Sequence, residues 1–288
     1  MRSIPSQSQP REPRTHQTRT SARALVLSAF IAALVAGCAT TTSSTGRTQY
    51  VGAVSQQELE QLGAQAFEQT RKEKPLSQDA RQNAYLRCVV DALVAELPDG
   101  QRGRWEAAVF VDKSPNAFAL PGGKVGVYTG LFDVAKNQHQ LAAVVGHEIG
   151  HVRERHHDER VTRQAMAQLG VAVAGAAAGS RYGEGAQQTT QQLGGAAMVG
   201  LFVLPGTRAQ ENEADVVGQR LMAQAGFDPR QAVDLWQNMM AASQSRPPEW
   251  LSTHPDPRSR IDEMRRRADA LIPVYEQARA NGRRPSCG

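Results

Sequence analysis

The run His147-Glu148-Ile149-Gly150-His151 is the part of this chain whose residue types and spacing speak most directly of chemistry. On an α-helix each residue turns by about 100°, so residues four apart lie within about 40° of each other on one face. Two imidazoles presented in that way can grip one divalent ion, zinc above all, at roughly 2.0–2.1 Å each. Glu148 stands one residue on, beside such an ion rather than on it. A carboxylate there can take a proton from water activated by the metal. Leu141, Val144, Val145 and Ile149 give the same stretch an apolar face, so the helix is expected to be buried on its other side.

A hydrolytic site of this kind needs a third protein ligand and one open position. His157 follows the second histidine by six residues. A histidine at that spacing can ligate where a glycine three residues after the second histidine turns the chain sharply. Here that place holds Glu154, and VRERHHDER is expected to continue the helix, which points His157 about 240° away from His151. His156 and His157 are then expected to be solvated near the helix C-terminus, where positive charge is welcome. The other candidate is Glu211, in Arg208-Ala209-Gln210-Glu211-Asn212-Glu213-Ala214-Asp215. Glu211 and Asp215 share a helical face, so one can complete a His/His/Glu set while the other accepts the outer N–H of a ligand histidine. Glu213 points elsewhere and is given no role. Taken alone, an acidic pair at this spacing is most often just a charged face.

Several elements must position these residues. Helical periodicity marks 55–72 and 77–97, the second with Ser77 as N-cap and Pro98-Asp99-Gly100 as its stop. Residues 105–111 alternate as a strand, and 117–120 and 124–128 flank a Pro121-Gly122-Gly123 turn between two further strands. A helix is expected over 137–156, and others over 210–225, 228–242 and 258–279. The Gly/Ala-rich stretch 165–204 reads as small-residue helices or a loop near the core, with a lid over the cleft as the sharper alternative.

Four stretches, NAFALPGG (116–123), HEIGHVRERH (147–156), TRAQENEAD (207–215) and STHP (252–255), together resemble the HtpX-like and CAAX-prenyl-endopeptidase-like family of zinc metallopeptidases. Within that family they are most similar to small periplasmic lipoprotein members, and the likeness runs from about residue 55 to 270. The resemblance implies an α+β fold, a mainly helical gluzincin-type domain with a small mixed sheet beside the active-site helix. It implies one Zn2+ per chain held by His147, His151 and Glu211, with Glu148 as general base and Asp215 as a supporting carboxylate. Asn116, Ala117, Phe118 and Ala119 correspond to an edge strand beside the cleft, with which an extended substrate pairs through its backbone. An internal strand is the alternative there. His254 is placed to reach the metal's open position, as an oxyanion stabiliser or as a regulatory plug, and a plain loop histidine is the bland reading. Arg260 is a weaker candidate for the same stabilising task. One departure stands out: Leu204-Pro205-Gly206-Thr207-Arg208 occupies the place where relatives often read Leu-Pro-Tyr-Ser-Arg, which puts the packing beside Glu211 in question.

The N-terminal residues read as a processing segment. Residues 2–23 carry five arginines against one acid, and the uncharged run ALVLSAFIAALVA follows at 24–36. That run is too short to span a bilayer, which takes about 20 residues. Val35-Ala36-Gly37-Cys38 resembles a bacterial lipobox, which makes Cys38 a lipid anchor, and Ala39 after it favours the outer membrane. The expected organisation is a signal peptide (1–37), a flexible Ser/Thr-rich tether (38–54) and a zinc peptidase domain (55–288). The chain's 33 basic and 28 acidic residues give a net charge of +5 that lies mostly in the leader, so nothing argues for nucleic acid. In an exported chain the two remaining thiols, Cys88 and Cys287, are expected to pair. The expected function is a zinc endopeptidase of the periplasm acting on unfolded or misassembled envelope proteins. The rival is a chaperone or assembly factor for outer-membrane proteins with a latent zinc site.

Overall fold

The structure, a computed structural model, describes residues 39–182, 206–242, 254 and 257–288. The expected leader, Cys38 and residues 183–204 of the Gly/Ala-rich stretch lie outside the described residues. The chain divides into two units, 1–39 and 40–288, and all but the first residue of β1 belong to the second. Its elements, in chain order, are β1 (Ala39–Thr42), β2 (Thr48–Val51), α1 (Gln56–Glu73), α2 (Ala80–Val94), β3 (Glu106–Phe110), β4 (Ala117–Leu120), β5 (Lys124–Tyr128), α3 (Gln138–Arg153), α4 (His156–Tyr182), α5 (Arg208–Gln224), α6 (Gln231–Ala242) and α7 (Pro257–Ala280).

Helix starts follow local chemistry. Ser55 and Glu58 form a reciprocal capping box for α1, and Thr207 and Gln210 do the same for α5. Asn137 caps α3 by accepting from the backbone N–H groups of His139 and Gln140. Asp79, rather than the expected Ser77, caps α2. From there Leu86, Val89, Val90 and Leu93 follow at helical spacing and all are buried.

A three-stranded sheet runs in the order β3-β5-β4, with β3 parallel and β4 antiparallel to the central β5. The turn between β4 and β5 needs positive φ at both Gly122 (78°) and Gly123 (71°), which glycine adopts without penalty. β4 therefore lies at the outer edge of the sheet, against α3.

The central packing is α3 against α5, and small residues set how near the two helices come. A Cβ on Gly150 would stand 3.0 Å from the Ala214 carbonyl oxygen, and one on Gly218 would stand 2.8 Å from the His147 nitrogen. Gly146 and Gly150, like Ala214 and Gly218, are four apart and so form one stripe on each helix. Through this contact two helices far apart in sequence bring their polar residues to the same place. The C-terminal tail fixes the start of α3 as well. Cys287 is disulfide-bonded to Cys88 on α2, its backbone N–H donates to Gln138 at 2.8 Å, and Gln138 donates to the Pro285 carbonyl at 2.9 Å.

Two expectations are corrected here. The supposed tether is ordered structure: β1 and β2 pair as a small sheet, and residues 43–53 are tied to the domain. Ser44 donates to both carboxylate oxygens of Glu154 at 2.8 and 2.7 Å, and the Gly52 N–H donates to Asp158 at 2.9 Å. Its hydroxyls and amides, which look solvent-loving in sequence, are spent on buried acids. The helix expected to run on to His156 instead stops at Arg153. Arg155 takes a left-handed conformation (φ 55°), and α4 leaves in a new direction from His156.

The helix contact predicts opposite effects for two glycine substitutions, measurable by denaturant unfolding. Gly218→Ala forces its new methyl into the backbone of α3 and is expected to destabilise by about 1–3 kcal/mol. Gly170→Ala, in the open on α4, is expected to stabilise by about 0.5–1 kcal/mol.

Candidate metal centre

α3 is buried all round from Gln140 to His151, and α5 is buried at Gln210, Glu211, Glu213, Ala214 and Asp215. Where their small-residue stripes meet, His147, His151 and Glu211 converge, and His254 joins them from the stretch ahead of α7. One donor atom from each lies within 4.8 Å of all the others. The Nε2 atoms of His147 and His151 are 3.1 Å apart, His254 Nδ1 is 3.2 Å from His147 Nε2, and the two ligand-pair histidines approach Glu211 at 3.4 and 3.5 Å. Four donors around one ion at 2.0–2.1 Å stand about 3.3 Å from each other in a tetrahedron. These four spacings bracket that figure, and His254 Nδ1 stands closer to Glu211 Oε2, at 2.8 Å.

The proton arrangement points the same way. His147 Nδ1 is 2.9 Å from Asp215 Oδ1, a carboxylate gripped in turn by Arg260 Nε and a second guanidinium nitrogen, each at 2.7 Å. His147 therefore donates from Nδ1. His151 Nδ1 lies 2.8 Å from His156 Nδ1, and His156 Nε2 lies 2.9 Å from Glu213 Oε2. The arrangement that satisfies every group has His151 donating to His156 and His156 donating to Glu213. Both Nε2 atoms then face each other, and Glu211 Oε1, fully buried, has no hydrogen-bond partner. A cation held there takes the place of any proton between the two rings and satisfies the orphaned oxygen. The donor set fits a divalent metal of borderline softness.

Electrostatics agree. Burial opposes charge on Glu211, yet the surrounding histidines hold its carboxyl far below the usual range. Burial likewise opposes charge on Asp215, and Arg260 overcomes it. Burial alone favours a neutral His147, but Asp215 and Glu211 raise its proton affinity until it titrates at about 9. The field that attracts a proton to that imidazole attracts any cation. For His151 burial prevails and pushes it well below its ordinary value, which leaves a neutral ring able to ligate.

Glu148 is buried beside the cluster, its Oε1 3.4 Å from His254 Nε2. Asn116, Ala117 and Ala119 are buried along β4 and Phe118 is partly buried. His157 is outside the metal-binding group, as expected, but it is buried rather than solvated, because α4 turns back against the domain. Helical spacing alone gives His156 and Glu213 no role, but the structure buries His156 directly behind His151 and Glu213 behind His156. Arg260 faces Asp215 and stacks over Trp236 at 4.2 Å, which makes it a holder of the acid that orients His147.

A helix-borne histidine pair, a carboxylate from a second helix and an acid one residue after the first histidine define a metallopeptidase-type site. The chain belongs to peptidase family M48, whose family model matches residues 80–268. It is 30% identical over 248 residues to the beta-barrel assembly-enhancing protease of Escherichia coli (strain K12), a match covering 82% of this chain and 48% of that protein. It is 37% identical over 160 residues to the mitochondrial metalloendopeptidase OMA1 of Schizosaccharomyces pombe, covering 55% and 45% of the two chains. The bovine mitochondrial metalloendopeptidase OMA1 is 30% identical over 230 residues, covering 75% and 42%. The chain spans about half the length of the curated relatives it matches.

The acids of the site predict a pH dependence for the metal-free protein. Burial works against charge on Glu213, but bonds from His156, Ser43, Thr45 and Arg47 bring its pKa from 4.5 down to about 2. Asp215 and Glu159 are also lowered. The unfolded chain therefore binds more protons, so this stability is complete above the ordinary carboxylate range and is lost as pH falls towards about 2. Denaturant midpoints measured down that range are expected to fall, and to fall less steeply for Glu213→Gln.

Proposed function

We propose that this protein is a zinc-dependent endopeptidase of the bacterial cell envelope, with His147, His151 and Glu211 as zinc ligands and Glu148 as general base. The observation that carries the reading is the convergence of two helix-borne imidazoles, their Nε2 atoms 3.1 Å apart, on a buried carboxylate with an orphaned oxygen. Zinc bound there supplies Lewis-acid polarisation of a peptide carbonyl and of the attacking water. Glu148 takes a proton from that water and returns it to the departing amine. Asp215, held by Arg260, keeps the His147 tautomer that presents Nε2 to the metal. Residues 116–119, on the sheet's outer strand, offer backbone groups to an extended substrate, which gives affinity without demanding a sequence.

His254 holds the fourth corner of the donor set, the position that water and substrate need. We read it as a plug that must withdraw before cleavage. Unfolded or unassembled envelope proteins are the substrates this reading favours, supported by the similarity to a beta-barrel assembly-enhancing protease of Escherichia coli. Support for an exported location comes from the lipobox-like segment ending at Cys38 and from the Cys88–Cys287 disulfide, a bond that persists in oxidising compartments. No helix among the described residues is long and apolar enough to cross a membrane. A lipid on Cys38 is the proposed attachment.

Two experiments test the reading. Glu148→Gln is expected to retain metal and lose at least about 100-fold in cleavage of casein or an unfolded envelope protein. Unchanged cleavage would remove Glu148 from the mechanism, and full complementation of a deletion strain by this variant would favour the chaperone reading. His254→Ala is expected to raise cleavage by the soluble protein, and a large loss would mean that the ring serves the reaction rather than blocks it.

A further inference from the structure

The hairpin β1–β2 reaches the metal centre through a chain of buried polar contacts. Arg47 lies in the loop between the two strands and its guanidinium bridges two acids from different helices. It donates to both oxygens of Glu159 on α4 at 2.8 Å, and to Glu213 on α5 through Nε at 2.8 Å. Thr45 donates to the other oxygen of Glu213. Glu213 accepts from His156 at 2.9 Å, and His156 accepts from His151 at 2.8 Å. His156 has no exposed surface and Glu213 is 3% exposed, so neither group has water as an alternative partner.

The two ligand histidines are thus backed in matching ways. His147 leans on Asp215, which is fixed by Arg260 from α7. His151 leans on His156 and then Glu213, which is fixed by Arg47 from the N-terminal hairpin. Glu213 needs that cation: a carboxylate taken out of water without one is costly. Without it the acid keeps Thr45 and His156 but loses its charged partner, which weakens the donor order that aims the His151 lone pair forward.

Resting on the proposed metal site, we infer that Arg47, Glu213 and His156 are positioning residues for the metal ligand His151, so that the segment just after Cys38 is a working part of the metal centre. Groups behind a ligand histidine set its orientation and basicity, and losing one typically costs about 10–100-fold in metal affinity.

The test uses the full chain, with zinc affinity measured by competition against a chelator and with Co2+ as a spectroscopic stand-in. Arg47→Met and His156→Phe are expected to weaken zinc about 10–100-fold and to alter the visible Co2+ spectrum, with Arg47→Lys falling between Arg47→Met and wild type. Circular dichroism of the metal-free variants establishes that each is folded where affinity is read. Arg47 is partly exposed, so its variants keep the test available if His156→Phe fails to fold. If Arg47→Met lowers only the unfolding temperature, leaving zinc affinity and Co2+ spectrum as in wild type, the hairpin is structural and the inference falls. His147→Ala serves as control: if it too binds zinc as wild type does, the metal site itself is misassigned and both readings fall together.

Discussion

A buried carboxylate governs this architecture. Glu211 has no exposed surface, and an ionised acid in that position costs several kcal/mol unless opposite charge and hydrogen bonds surround it. Three imidazoles and the Arg260 guanidinium, 3.0 Å away, are gathered around it. One of its oxygens still has no hydrogen-bond partner, which is the signature of a site organised for a cation. That gathering is possible only because Gly146, Gly150, Ala214 and Gly218 let α3 and α5 approach to backbone contact. A larger side chain on either stripe would carry Glu211 away from the histidines.

Around this centre the fold supplies rigid backing from several directions. α7 brings Arg260 to Asp215, and Trp236 on α6 stacks beneath the guanidinium. α4 brings His156 behind His151, and the β1–β2 hairpin brings Arg47 to the acids of α4 and α5. The disulfide between Cys88 and Cys287 anchors the C-terminal tail where it meets the first turn of α3. Each of these contacts joins different elements of the fold, so the geometry of the centre belongs to the whole domain rather than to one motif.

The parts legible in sequence were those fixed by helical period. His147 and His151 face one way because they are four apart, and the same spacing pairs Glu211 with Asp215. The strand–turn–strand around Pro121-Gly122-Gly123 was legible because two adjacent glycines favour left-handed backbone. What escaped depends on tertiary reward. Arg155 enters the left-handed region without being glycine, at a cost of about 1–3 kcal/mol that local propensity argues against. The break it makes is repaid by burying His156 behind His151, a contact invisible until α4 and α5 are placed. Helical spacing turns Glu213 away from Glu211, but α5 is enclosed on that side too. The Ser/Thr-rich segment looked solvated for the same reason: its partners, Glu154, Glu159 and Glu213, lie more than 100 residues away.

The four donors differ in how they are held, and that difference bears on which one yields to substrate. His147, His151 and Glu211 each sit within a helix whose position is fixed by the glycine contact, and both helix-borne histidines are oriented by a buried acid or a relay to one. His254 stands outside any helix, ahead of α7, and reaches the cluster by its side chain. Moving any of the other three means separating α3 from α5, whereas His254 belongs to neither helix. Its Nδ1 faces Glu211 at 2.8 Å and its Nε2 faces Glu148 at 3.4 Å, so one ring screens both the proposed metal corner and the proposed base. On the proposed reading, displacement of that ring uncovers both positions at the same moment, so the centre is assembled but closed while His254 is in place.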